Sequence, residues 1–305
     1  MNSKIGLLFL AVLIVVISGC DQRSVQQGAI AQGLDLVFEE GYPGSTLSEG
    51  EEFNVNLKIF NGLSYPVDYT LCVSGDRAEF YGGVPVGGIC NNNLKIEGSY
   101  ETQNGEIIPA TSNLFFPSEV ETFSYVNLDK GVKSTNIIAE LEYYIESESN
   151  VDVCVLRSKD YESEGEFTCL SKENFNSFDI VQESAPLIVS KVDKEVKAVG
   201  GTPQIKVIVY LDKANKGEIV RELQEDFDLI GIEVSLKGTS AEFVCNNQRD
   251  GRTIFREGDA IECSANLNLA ENGNVYKDNL IIKLSYPYKL KDTKHISFDD
   301  WEERL

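Results

Sequence analysis

The chain has one histidine, and that scarcity removes several chemistries together. A Ser-His-Asp triad or a multi-histidine metal site would have to run through His295, which sits in a charged stretch near the C-terminus. Gly-x-Ser-x-Gly, His-Glu-x-x-His and the dinucleotide fingerprint are missing. The stretch 82–88, GGVPVGG, is followed neither by Gly-Lys-Ser/Thr nor by a helical pattern, so it reads as a β loop and not a phosphate loop. There is no Cys-x-x-Cys, hence no zinc spacing. The acidic runs Asp160/Glu162/Glu164, Glu225/Asp226/Asp228 and Asp299/Asp300 lack the Asp-x-Asp-x-Asp-Gly order of a calcium loop. No Asn-x-Ser/Thr sequon occurs. Basic residues are few: 27 Lys and Arg against 49 Asp and Glu give a net charge of −22. That balance excludes docking to a phosphate backbone and polybasic attachment to anionic lipid. The expectation is no catalytic residue, no cofactor, no metal site, no nucleic-acid partner and no enzyme. A carboxylate-pair hydrolase is the alternative, because acidic residues are plentiful, although nothing selects one pair.

Long hydrophobic runs are also scarce. The main one, Ile5 to Ile17, follows Lys4 and leads into Ser18-Gly19-Cys20. A positive start, an apolar core and a small-residue exit describe a secretory signal. The run is too short to span a bilayer comfortably, which takes about 20 residues. Ile17-Ser18-Gly19-Cys20 resembles the lipobox of prokaryotic lipoproteins. That resemblance implies lipidation of Cys20, cleavage before it, and attachment to the outer face of the cytoplasmic membrane or the cell surface. Asp21 resembles the signal that keeps some bacterial lipoproteins in the inner membrane. The other reading is an uncleaved anchor helix; both place residues 21–305 outside the cytoplasm.

Seven cysteines support export. With Cys20 set aside, six remain in local pairs: Cys72 with Cys90, Cys154 with Cys169, Cys245 with Cys263. Six cysteines allow fifteen connectivities; neighbour pairing is expected, each bridge closing a short loop worth roughly 3 kcal/mol. Free thiols and metal binding are the competing readings.

The length suggests about two domains. Residues 20–33 read as a tether. Alternation begins at Leu34-Leu36-Phe38 and is cleanest at Phe53-Val55-Leu57-Ile59. It continues at 67–73, 120–126, 137–145 and 151–155. A Pro-containing break at 182–186 marks a linker. Alternation resumes at 187–191, 205–211, 230–236, 241–245, 260–269 and 279–289. One segment, 217–228, GEIVRELQEDFD, spaces Ile219, Leu223 and Phe227 as a short helix would. The tail 299–305 carries the only tryptophan, Trp301, as a docking candidate.

The two blocks echo each other. Val73–Phe80 matches Leu236–Phe243, Leu141-Glu-Tyr143 matches Leu284-Ser-Tyr286, and Phe53–Ile59 matches Ile205–Leu211 in pattern. Three matches in one order point to a duplicated domain. Short strands in copies of this size indicate β-sandwiches of immunoglobulin-like topology. Through the strand Phe53–Phe60, the segment Phe116-Pro-Ser-Glu-Val-Glu-Thr-Phe123 and the Leu-x-Tyr strands, the chain resembles tandem immunoglobulin-like modules of archaeal and bacterial surface proteins, such as CARDB and S-layer-associated domains. Ser118 stands where that pattern usually has glycine.

The expected fold is therefore all-β. After the signal peptide (1–19) and the lipid-anchored tether come two tandem immunoglobulin-like sandwiches, 34–184 and 185–298. The expected function is a membrane-anchored, extracytoplasmic binding or adhesion module for a protein or glycan partner. A structural subunit of an envelope or appendage assembly is the alternative.

Overall fold

Along most of the alternating stretches the computed structural model forms a strand with one face buried. It describes residues 33–76, 81–129, 131–156, 169–199, 202–221, 227–267 and 275–299. These residues are all-β in several sheets, with no helix among them.

The first half carries β1 (Leu34–Phe38), β2 (Thr46–Leu47), β3 (Glu52–Phe53), β4 (Val55–Asn61), β5 (Val67–Gly75), β6 (Ile89–Ile96), β7 (Tyr100–Glu101), β8 (Ile107–Ile108), β9 (Ala110–Phe116), β10 (Phe123–Ser124), β11 (Ser134–Leu156), β12 (Lys172–Asn176) and β13 (Ile180–Gln182). The second half adds β14 (Leu187–Val199), β15 (Thr202–Lys213), β16 (Glu218–Ile219), β17 (Asp228–Leu236), β18 (Val244–Cys245), β19 (Gln248–Arg249), β20 (Arg252–Phe255), β21 (Ala260–Asn266) and β22 (Val275–Phe298).

Two long antiparallel strands organise the molecule. β11 and β22 pair along their whole length, from Ser134↔Ser297 to Leu156↔Val275. They form the middle of a ten-stranded sheet whose main path is β19-β20-β17-β22-β11-β5-β6. The wings match: β5-β6 flank β11, and β17-β20 flank β22. The smaller sheets match as well, β1-β4-β9 in the first half and β14-β15-β21 in the second, the latter flanked by β12 and β18.

The register locates the symmetry. Leu141 and Leu284, 143 positions apart, face Leu290 and Ser147, which are also 143 apart. A pseudo-two-fold axis therefore passes through the Tyr144·Pro287 pair. Each long strand serves both halves: β11 pairs with β5 early and β13 late, and β22 pairs with β17 early, then β16 and β2. Strands from either side of position 184 thus share one sheet, and the described residues belong to one compact unit. Pro287 sits where the far edge of β22 passes from β17 to β16; a residue without a backbone donor is tolerated at such a break.

The core follows the alternation. Val55, Leu57 and Ile59 of β4, Leu71 and Val73 of β5, and Ile205, Val207 and Val209 of β15 are fully buried. Each such side chain contributes about 1.5–3 kcal/mol of burial. Two tyrosines mark the pseudo-symmetry inside this core. Tyr143 accepts a hydrogen bond from the Leu34 backbone N–H at 3.2 Å, and Tyr286 from that of Leu187 at 2.9 Å. Leu34 opens β1 and Leu187 opens β14, so each phenol ties a long strand to the first strand of a smaller sheet. Burial pushes both phenols well above the ordinary tyrosine range. Where the two openings meet, Gly33 has φ +96°, and a Cβ there would lie 2.7 Å from the Pro186 ring.

Three local expectations are corrected. The helix expected over 217–228 is not formed where it is described: Glu218 and Ile219 pair with Lys289 and Tyr288 as β16, Asp228 begins β17, and 222–226 lie outside the described residues. Tertiary pairing there overrides the helical spacing. The alternation at 120–126 yields only Phe123–Ser124 as strand. The Ser118 Oγ accepts the backbone N–H of Val120 and Glu121 and holds a turn instead, leaving Val120 90% exposed. The segments 137–145 and 151–155 are one strand, since β22 supplies a partner across the gap.

The structure closes three disulfides. Cys72–Cys90 joins β5 to β6, Cys245–Cys263 joins β18 to β21, and Cys154–Cys169 ties the end of β11 to the chain entering β12. Beside the last bridge lies Lys194 of β14, its side chain 0% exposed. Its Nζ donates to the carbonyls of Cys154 at 2.5 Å and Leu170 at 2.9 Å, and to the Glu173 carboxylate.

Candidate functional site

On its outward face the ten-stranded sheet presents cross-strand rows of polar side chains. Two rows near the pseudo-axis frame a groove of about 610 Å³. In one, Glu146 of β11 faces Ser285 of β22, which faces Gly231 of β17; in the other, Glu148 faces Lys283, which faces Glu233. That volume falls in the range of ligand-holding clefts, roughly 300–1,000 Å³.

The groove exists because the sheet is interrupted beside β11. β5 stops pairing at Tyr143 and β13 starts at Ser149, so the backbone between has no strand on that side. Tyr65 fills the gap, its hydroxyl donating to the Glu146 carbonyl. Tyr65 is held in turn by Asn61, a fully buried amide at the end of β4. Asn61 Nδ2 donates to the carbonyls of Tyr65 at 3.0 Å and Glu97 at 2.8 Å, and its Oδ1 accepts the Leu63 N–H at 2.9 Å. Glu183, just after β13, completes the rim, its N–H bonded to the Glu148 carbonyl. The floor is low because Gly231 has no side chain: a Cβ there would stand 2.1 Å from Ser285 Oγ.

Charge is unbalanced. Glu146, Glu148, Glu183 and Glu233 line the groove against one ammonium, Lys283, which reaches Glu148 only at 4.0 Å. Among the described residues Glu146, Glu183 and Glu233 have no ion-pair partner. Among the same residues no His, Cys, Asp and Glu group is disposed to hold a metal ion.

Burial pushes the Tyr65 phenol up to about 12, and Tyr288, in the core below, likewise to about 12. An unfolded tyrosine titrates near 10. A phenol whose folded pKa is raised stabilises the fold below the unfolded value and loses that contribution as pH rises through the folded one. The urea midpoint is therefore expected to hold to about pH 10 and fall steadily towards about pH 12. Tyr65→Phe should flatten part of that fall; a midpoint unchanged across the window contradicts the assignment.

The other residues singled out in the sequence are dispersed. Cys20, Trp301, the loop 160–166, Glu225, Asp226 and Asp300 lie outside the described residues. Asp228 pairs with Arg221 at 2.9 Å, and Asp299 accepts the Ser48 hydroxyl at 3.0 Å. His295 Nδ1 donates to Asn136 Oδ1 at 3.0 Å, and Asn136 Nδ2 donates to Asp76 at 2.8 Å, ten residues along the strands from the groove. The groove residues carried one faint sequence signal, a lone glycine inside a strand pattern at 231, which marks close approach.

No protein-family model matches the chain, and no curated protein matches it. Among solved structures it is similar to the secreted serine protease VesC from Vibrio cholerae, at 10% identity and a TM-score of 0.18, over 88% of this chain and 52% of that one. The chain thus spans about half the length of that protein. This finding corrects the expectation of no enzyme, which is withdrawn. A likeness at that score carries no argument for the fold or for peptidase activity.

Proposed function

We propose that the chain is an exported, lipid-anchored protein that presents paired immunoglobulin-like β-sandwiches to a protein or glycan partner. The observation that carries this reading is the cysteine set. Six cysteines form three disulfides, a pattern consistent with an extracytoplasmic location. The seventh, Cys20, ends the apolar run Ile5–Ile17 in a lipobox-like Ile-Ser-Gly-Cys.

The sandwich reading groups β1-β4-β9 with the β5-β6 wing, and β14-β15-β21 with the β17-β20 wing, each closed by part of β11 and β22. The repeated strand order supports it. The binding reading is supported by the open groove on the shared sheet, since surface clefts beside connecting loops are where recognition concentrates.

The test is fractionation of cells producing the chain and its Cys20→Ser variant, followed by cross-linking at the intact cell surface. Wild type should enter the membrane fraction and the variant should leave it, and the anchored chain should cross-link to a distinct partner. A variant that stays with the membrane, or a chain facing the cytoplasm, contradicts the reading.

A further inference from the structure

We infer that the groove over Glu146, Ser285 and Gly231 docks a basic segment of a partner protein, one that brings lysine or arginine side chains to the groove carboxylates. The inference rests on the partner-binding reading above and names that partner's chemistry.

The pseudo-two-fold axis supplies an internal control. Moving 143 positions between the long strands maps Glu146 onto Lys289, Glu148 onto Lys291, Ser285 onto Glu142 and Lys283 onto Glu140. At that equivalent end the sheet satisfies itself. Lys289 lies 2.6 Å from Glu142 and 3.7 Å from Glu140, and Lys291 lies 3.4 Å from Glu140. Two ammonium groups there meet two carboxylates across one strand pair, with Glu218 of β16 alongside. At the groove end the two lysine positions hold Glu146 and Glu148, and Glu183 and Glu233 add two more carboxylates.

Shape differs in the same direction. Thr70 faces Glu142 at the self-satisfied end, whereas Gly231 faces Ser285 at the groove end. The end with a single cation against four carboxylates is also the end with a lowered floor. A cleft lined by one sign of charge concentrates oppositely charged partners and speeds their encounter. The carboxylates are spread over two strands, β11 and β17, and the loop after β13, and this spacing suits several side chains along an extended peptide.

The test uses the full chain in detergent with hexalysine as probe. Three proteins are compared: the wild type, Glu146→Gln/Glu183→Gln/Glu233→Gln, and a control with the same charge change at the Phe298 end of β22, around the β3–β10 pair, Glu52→Gln/Glu119→Gln/Glu121→Gln. The groove triple should weaken hexalysine binding about tenfold, as the loss of three exposed pairs implies, and the control should leave it nearly unchanged. Equal weakening by both triples would mean that the net charge of the chain alone attracts the probe, and would overturn the inference; so would no weakening by either. Zero-length carbodiimide coupling of hexalysine to the wild type gives a readout independent of variant folding. The peptide should map to Glu146, Glu148, Glu183 or Glu233, and mapping elsewhere overturns the proposal. The anchored reading fails separately, through a Cys20→Ser variant that stays on the membrane, and a captured partner that couples outside the groove leaves that reading standing while removing this one.

Discussion

Replacing Lys194 with alanine is expected to lower the stability of the fold by about 3–5 kcal/mol, the usual consequence of removing one member of a buried charged network. The lysine side chain is fully buried and joins three partners from separate segments: the end of β11, the residue after Cys169 and Glu173 of β12. Without it two carbonyls and a carboxylate lose their donor in a place where water reaches poorly. Lys194→Met keeps the bulk and removes only the charge. Combined with Glu173→Met it should recover part of the loss, because a pair replaced by apolar side chains leaves no unpaired carboxylate. Urea unfolding of the three variants measures this. A Lys194→Ala protein within about 1 kcal/mol of wild type, the range of an exposed pair, would show that the lysine is not a structural clamp.

Tyr286→Ala should be comparably damaging, at about 3–5 kcal/mol for emptying an aromatic site in the core. The Tyr286 ring is fully buried and lies edge-on to Tyr288 at 6.1 Å, which lies edge-on to Tyr143 at 5.9 Å. Tyr286→Phe keeps the ring and orphans the Leu187 N–H, so about 1–3 kcal/mol is expected. The pseudo-symmetry makes a sharper statement. Tyr143→Phe should lose a similar amount, because it removes the same bond at Leu34. Denaturant midpoints of the two phenylalanine variants that differ severalfold in their effect would contradict equivalence of the two tyrosine ties.

Much of the fold was legible because burial writes period-two patterns. Leu34-Leu36, Val55-Leu57-Ile59 and Ile205-Val207-Val209 alternate in sequence and point inward in the structure. The Leu-x-Tyr echo at 141 and 284 was visible, and it lands on the two strands that carry the pseudo-axis. Their partnership was not legible. Nothing local in Ser134–Leu156 says that it will pair with a strand more than a hundred residues away, and the polar stretch Glu146–Asn150 reads as a break until β22 lies beside it. The segment 217–228 misled for the related reason that spacing of Ile219 and Leu223 suits a helix, while β22 offered Glu218 and Ile219 an edge. The groove was nearly silent, because its carboxylates come from β11, β17 and the residue after β13. Only their assembly on one face distinguishes them from the other solvated acids of a strongly acidic chain.

The central claim, an exported and lipid-anchored chain, is tested most directly by the intact mass of protein extracted from membranes, with thiol labelling before and after reduction. The account predicts a chain that begins at Cys20, carries a lipid and shows no reactive thiol until reduced, when six appear. A chain beginning at Met1 with all seven thiols reactive from the start would contradict it, and would place the protein in a reducing compartment.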